Sequence, residues 1–143
     1  IMRILVLHGP NLNLVGKLSS KEGSTITLGK INSELKKKAK QLECELKILQ
    51  THKSFQAINF IQRNRNWADG LVFTPMSWVR YEFSILESIE IADMKTIQIL
   101  FDGHYNTVGN DTSSIFNEFC HKTISGKPTD IYVNALEELH KSK

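Results

Sequence analysis

The sequence predicts an α/β fold built on a parallel sheet, and three observations carry that reading. Short apolar runs such as Ile4–Leu7 and Leu71–Phe73 read as strands buried on both faces, because a parallel strand covered by helices has no side left for water. Between the runs lie stretches whose apolar residues recur every three or four positions, the period of a helix with one buried face. The two patterns alternate from end to end, as a sheet covered on both sides requires.

The first strand is expected at Arg3–Leu7, followed by His8-Gly9-Pro10-Asn11-Leu12-Asn13-Leu14-Val15-Gly16. Gly-Pro ends the strand, and the two Asn side chains can donate and accept at its carboxyl end, where open α/β sheets bind ligands. The polar stretch on to Thr25 reads as a loop. Thr27–Leu42 reads as a helix with Leu28, Ile31, Leu35, Ala39 and Leu42 on one face and Lys36, Lys37, Lys38 and Lys40 toward water. Glu45–Gln50 is the second strand. Ser54 is expected to cap the next helix, with Phe55, Ile58 and Ile61, together with Phe60, as its buried side.

Gly70–Thr74 is the third strand, followed by a helix over Tyr81–Ala92 in which Phe83, Leu86, Ile89 and Ile91 stand among carboxylates. Thr96–Leu100 and Lys122–Ser125 complete the strands. The last helix, Thr129–His140, offers Ile131, Ala135, Leu136, Leu139 and either Tyr132 or Val133 to the sheet. Five strands in the order 2-1-3-4-5 make a flavodoxin-like three-layer sandwich.

A chain of 143 residues, 41% of them hydrophobic, is the size of one domain with a proper core, so residues 1–143 are expected to form a single unit. The net charge of +3 comes largely from the lysine cluster of the first long helix. Those lysines are not interleaved with exposed aromatics, and no nucleic-acid partner is expected. Cys44 and Cys120 stand far apart without CxxC or Cys/His spacing and read as reduced, partly buried thiols. The five histidines are scattered and no phosphate-cradling glycine motif is present, so neither a metal nor an organic cofactor is expected. No charged-then-apolar leader and no run of membrane-spanning length appears. A soluble cytoplasmic protein is the expectation.

Four segments resemble the type II dehydroquinase (type II 3-dehydroquinate dehydratase) family. The loop Gly9-Pro10-Asn11-Leu12-Asn13-Leu14-Val15-Gly16 matches the family's first signature, in which the Asn at position 11 helps hold the water that stabilises an enolate. Gly23-Ser24-Thr25 matches the end of the family's lid, but Glu22 occupies the place of its catalytic tyrosine and no arginine precedes it. That tyrosine is the base that takes a proton alpha to the substrate carbonyl; Glu22 is the candidate base here if burial raises its pKa.

Ala68-Asp69-Gly70-Leu71-Val72-Phe73-Thr74-Pro75, with Trp78, resembles the third signature. There Thr74 replaces a substrate-binding Asn, Met76 replaces Gly, and Arg80 stands where the family has a His; an arginine recognises anions but cannot accept a hydrogen bond. Ile97-Gln98-Ile99-Leu100-Phe101-Asp102-Gly103-His104-Tyr105 aligns with the fourth. Gln98 replaces a Glu that holds the acid, Leu100 replaces the His that protonates the leaving hydroxyl, and Asp102-Gly103 replace the Ser-Asn pair that binds the carboxylate. His104, four positions beyond Leu100, is the candidate substitute acid, although it must reach back to serve. Glu87 stands where the family often has an Asp that reaches a neighbouring subunit.

The resemblance therefore covers the whole chain, strong in scaffold and weak in catalytic positions. It implies a homologue impaired or inactive in dehydroquinate dehydration, keeping a pocket for a small anion with Asn11, Asn13, Thr74, Arg80, Asp102, Gly103 and His104 as candidate liners. A rearranged but active lyase using Glu22 and His104 is the alternative, and a role as a symmetric trimer or dodecamer is a third.

Overall fold

The computed structural model describes all 143 residues. A five-stranded parallel sheet runs in the order 2-1-3-4-5 through β1 (Met2–His8), β2 (Cys44–Gln50), β3 (Gly70–Thr74), β4 (Lys95–Phe101) and β5 (Lys122–Gly126). Each expected strand is present and extends by at most a residue or two. β1 lies between β2 and β3, with Ile4 beside both Leu46 and Gly70. Its even-numbered residues, Met2, Ile4 and Val6, enter one core with α2 (Leu28–Gln41) and α5 (Ile131–Lys141). Leu5 and Leu7 enter the other, with α3 (Ser54–Asn64) and α4 (Phe83–Ala92). Two-sided burial explains why the strand sequence is continuously apolar.

The helices follow from their stripes. α2 buries Ile31, Leu35 and Ala39 and is capped by Thr27, whose hydroxyl accepts from the Lys30 amide at 3.2 Å. Its lysines line the outer side, Lys38 reaching Glu137 of α5 at 2.8 Å. α5 buries Ile131, Tyr132, Ala135, Leu136 and Leu139, so Tyr132 rather than Val133 takes the inward position. No helix is long and apolar enough to cross a membrane.

Three expectations need correction. Ser54 does not cap α3: it is already the first helical residue, and the capping position, Lys53, has its amide held by the Thr51 hydroxyl at 3.0 Å. Phe55 is 58% exposed, because the stripe that meets the sheet runs through Ala57 and Ile61, with Ile58 and Phe60 half-buried beside it. On α4 the inward residues are Ile85, Leu86 and Ile89, leaving Phe83 and Ile91 on the outer side. That helix is apolar on both sides, so its sequence could not say which side the sheet covers.

The stretch after β1 also departs from a plain loop. It winds through a 3₁₀ turn at Leu12–Leu14, the short helix α1 (Val15–Ser19) and a second 3₁₀ turn at Ser20–Glu22. Ser19, fully buried, staples this lid: its hydroxyl accepts from the Ile26 amide at 3.0 Å and lies 3.1 Å and 3.0 Å from the carbonyls of Gly16 and Ile26.

Candidate functional site

The carboxyl ends of β1, β3 and β4, with the lid above them, form the candidate site. At the β1 exit the Gly9 amide donates to the Thr74 carbonyl at 2.8 Å. A Cβ on Gly9 would lie 2.6 Å from the Pro75 carbonyl oxygen and 2.8 Å from that of Thr74, so only glycine lets the two exits close up. Asn11 follows in the left-handed region at φ 69, a conformation Asn tolerates, and its amide donates to His52 Nδ1 at 3.3 Å. The side chains of Asn11 and Asn13 lie at the exposed surface.

Glu22 and His104, far apart in sequence, meet. Glu22 Oε1 is 3.1 Å from His104 Nδ1 and 3.5 Å from Lys127 Nζ, and Oε2 accepts from the Tyr105 hydroxyl at 3.3 Å. His104 Nε2 in turn lies 3.0 Å from the Leu18 carbonyl. Both ring nitrogens thus face acceptors, which a neutral imidazole can satisfy once and an imidazolium twice. The lid is latched to the β4 and β5 exits through one carboxylate. Ion pairs this exposed contribute about 0–1 kcal/mol each, so the latch sets position more than global stability.

Thr74 turns into the core instead of toward a ligand. It is 1% exposed, and its hydroxyl lies 2.7 Å from that of Tyr132, whose pKa burial raises above its ordinary value. Beside them His8 is wholly buried, with Nε2 2.9 Å from Asn32 Oδ1 and its ring edge-on to Tyr132 at 5.6 Å. His8 Nδ1 is the one buried side-chain nitrogen or oxygen without a hydrogen-bond partner. Burial pushes the imidazole pKa down to about 4, against a smaller opposing effect of Asn32.

Gln98 is fully buried and fully engaged. Its amide donates to Asn117 Oδ1 at 2.8 Å and to Thr123 Oγ1 at 3.0 Å, while its carbonyl accepts from the Ser114 hydroxyl. A carboxylate here would lose both donated bonds and bring a charge where no water reaches. The network ties the 106–120 segment to β4 and β5. It is neutral packing, not support for a proton donor.

Leu100, on the same face two residues along, lines a cavity of about 70 Å³ between the exits of β3 and β4. Met76, Val79, Phe101, Tyr105 and Val108 supply most of its remaining apolar wall. Met76 sits at φ 53, a left-handed conformation that costs a side-chain-bearing residue about 1–2 kcal/mol. Its buried side chain offsets that cost by filling space a glycine would leave open. Arg80 is not itself part of the lining, but its guanidinium donates to the carbonyl of the wall residue Val108, and no carboxylate lies within salt-bridge distance of it.

Of the residues expected from sequence, the fold unites Glu22 with His104 and sets Arg80 beside the cavity. Asn11, Asn13, Asp102 and Gly103 are exposed near the strand ends but do not line it. Glu87 lies on the outer side of α4, one turn from exposed Phe83 and from exposed Ile91. Sequence reasoning missed Tyr105, which joins the latch to the cavity wall, and Lys127, Ser19 and His52. Tyr105 immediately follows His104, a usable signal; Lys127 and Glu22 share no local pattern.

Comparison with known proteins agrees with this architecture. The dehydroquinase class II family model matches residues 2–140. A 3-dehydroquinate dehydratase of Dictyoglomus turgidum is 29% identical over 139 residues, spanning 97% of this chain and 96% of that protein. One from Desulfitobacterium hafniense Y51 is 30% identical over 135 residues, 94% of this chain and 92% of that one. Among solved structures, a type II dehydroquinase from Butyrivibrio crossotus shares the fold with a TM-score of 0.82 at 22% identity, covering 96% of this chain and 97% of the other. A 3-dehydroquinate dehydratase-like protein from Bifidobacterium longum superposes with a TM-score of 0.69 at 14% identity, over 99% and 97% of the two chains. Matched over nearly its full length in sequence and in strand order, the chain belongs to the class II dehydroquinase family.

Proposed function

We propose that this chain is a divergent type II dehydroquinase that holds a small anion in the former active site and does not dehydrate 3-dehydroquinate at an enzymatic rate. The observation that carries the reading is the cavity wall, where Leu100 presents a hydrocarbon in place of a proton donor while Arg80, a cation without a carboxylate partner, bonds the carbonyl of the wall residue Val108. Dehydration by the type II route needs a base, an acid for the departing hydroxyl and donors for the enolate between them. Leu100 has no proton to give, and the carboxylate of Glu22 is already held by His104, Lys127 and Tyr105. Acid and base each contribute roughly a hundredfold to ten-thousandfold, so losing both leaves little of the reaction.

The test is incubation with 3-dehydroquinate while following the ultraviolet absorbance of the conjugated enone product, with thermal shift in parallel. No turnover above background, together with stabilisation by dehydroquinate, shikimate, citrate or phosphate that Arg80→Ala abolishes, is the expected result. The contact between Glu22 and His104 favours a second reading, a lyase with a rearranged base and acid. A rate above background that vanishes in Glu22→Gln replaces the first reading with this one.

The same proposal includes a homo-oligomer, a trimer or dodecamer, supported by the exposed stripe of Phe83, Glu87 and Ile91 on α4. Sedimentation as a monomer removes that part. The free thiols of Cys44 and Cys120 support a cytoplasmic setting.

A further inference from the structure

Resting on the anion-binding reading, we propose that the ligand class is a short aliphatic monocarboxylate, its hydrocarbon tail in the cavity between the β3 and β4 exits and its carboxylate on Arg80. The cavity walls decide the tail. Met76, Val79, Leu100, Phe101 and Val108 turn hydrocarbon inward, and a polyhydroxylated ring placed among them would leave hydroxyls without partners. Apart from Thr107, whose hydroxyl and amide make no hydrogen bond within the protein, most polar groups of the surrounding loop are already in use. Asn106 Oδ1 accepts from the amides of Val108 at 3.0 Å and Gly109 at 3.2 Å, and the Thr112 hydroxyl donates to the Val108 carbonyl at 3.2 Å. Ser114, also in the wall, gives its hydroxyl proton to Gln98. No backbone amide of Val108 or Gly109 is therefore left to hold an anion.

None of the lining residues is charged, and the cation that meets the wall is Arg80, through the Val108 carbonyl. Its guanidinium bonds a carbonyl of the wall itself, so the charge stands at the cavity edge with donors still to give and no carboxylate of the protein beside it. A carboxylate takes two parallel N–H bonds from a guanidinium, the geometry that selects it over a neutral amide. Volume sets the tail length. A dry cavity of about 150 Å³ accommodates benzene, so one of about 70 Å³ holds roughly three or four carbons beyond the carboxylate.

The test is a chain-length series of acetate, propionate, butyrate, valerate and hexanoate, with butyramide as the neutral match, measured by calorimetry and thermal shift at constant ionic strength. Each methylene up to butyrate or valerate is expected to tighten binding about fourfold, with a fall at hexanoate. Butyramide binds at least about tenfold more weakly than butyrate. Arg80→Gln removes the preference for butyrate over butyramide. Leu100→Ala, which widens the cavity, moves the optimum to a longer chain. Should Leu100→Ala fail to fold, the wild-type chain-length profile and Arg80→Gln still decide.

Binding that is flat in chain length overturns the proposal, as does equal binding of butyrate and butyramide. If citrate, phosphate or dehydroquinate bind through Arg80 while the monocarboxylates do not, the ligand class is wrong and the anion-binding reading stands. If no anion binds, both fall.

Discussion

Acidification to about pH 4.5 is expected to destabilise this protein through His8. The ring is wholly buried, its contacts are the neutral Asn32 side chain and the face of Tyr132, and burial holds its pKa down at about 4 against an ordinary 6.5. Below 6.5 the unfolded chain binds a proton that the folded chain refuses until about pH 4. Stability contributed by neutral His8 is therefore fully present above 6.5 and lost as the pH falls toward 4. Across that window each tenfold difference in proton affinity is about 1.4 kcal/mol, which gives a loss of about 2.5 kcal/mol at about pH 4.5 relative to about pH 7. Urea unfolding of wild type and His8→Gln at the two pH values isolates the effect, because titrating carboxylates contribute equally to both proteins. Wild type should lose about 2.5 kcal/mol more than the variant. Equal losses would refute the reasoning, since His8 would then take up its proton without unfolding.

Gln98→Leu should cost about 2–3 kcal/mol, because it strips partners from Ser114, Asn117 and Thr123 at once; an unchanged urea midpoint counts against the network. Glu22→Gln should lower global stability by less than about 1 kcal/mol, yet speed tryptic cleavage at Lys17 and Lys21 and amide exchange across the lid. Cleavage at the wild-type rate would mean that the lid is held by Ser19 alone. Gly9→Ala should destabilise by at least about 2 kcal/mol, since the added methyl meets backbone oxygens that cannot swing aside. A melting temperature within a degree or so of wild type rules out the close approach of the β1 and β3 exits.

Most of the scaffold was legible from residues alone, and the errors have physical causes. The runs Ile4–Leu7 and Leu71–Phe73 read as strands buried on both faces, and the stripe through Ile31, Leu35 and Ala39 as one docking face, and both are found so. α4 has Phe83 and Ile91 on one side and Ile85, Leu86 and Ile89 on another, so hydrophobicity could not choose between them. α3 misled for a milder reason: Phe55 and Ile61 are both apolar, but only the second points at the sheet.

The candidate site divides the same way. Sequence determined where it lies, because Gly9 must follow β1 for its exit to meet that of β3, and it determined that Leu100 carries no proton to give and Gln98 no charge. Only the tertiary structure decided what stands there instead. Thr74 turned inward to Tyr132, Glu22 was drawn to His104, Tyr105 and Lys127, and Arg80 came to an apolar cavity through the carbonyl of Val108. Each of these is a contact between segments remote in the chain. Local propensity and periodicity constrain a residue's own backbone and facing, whereas the partner of a side chain is fixed only when the sheet brings separate exits to one edge.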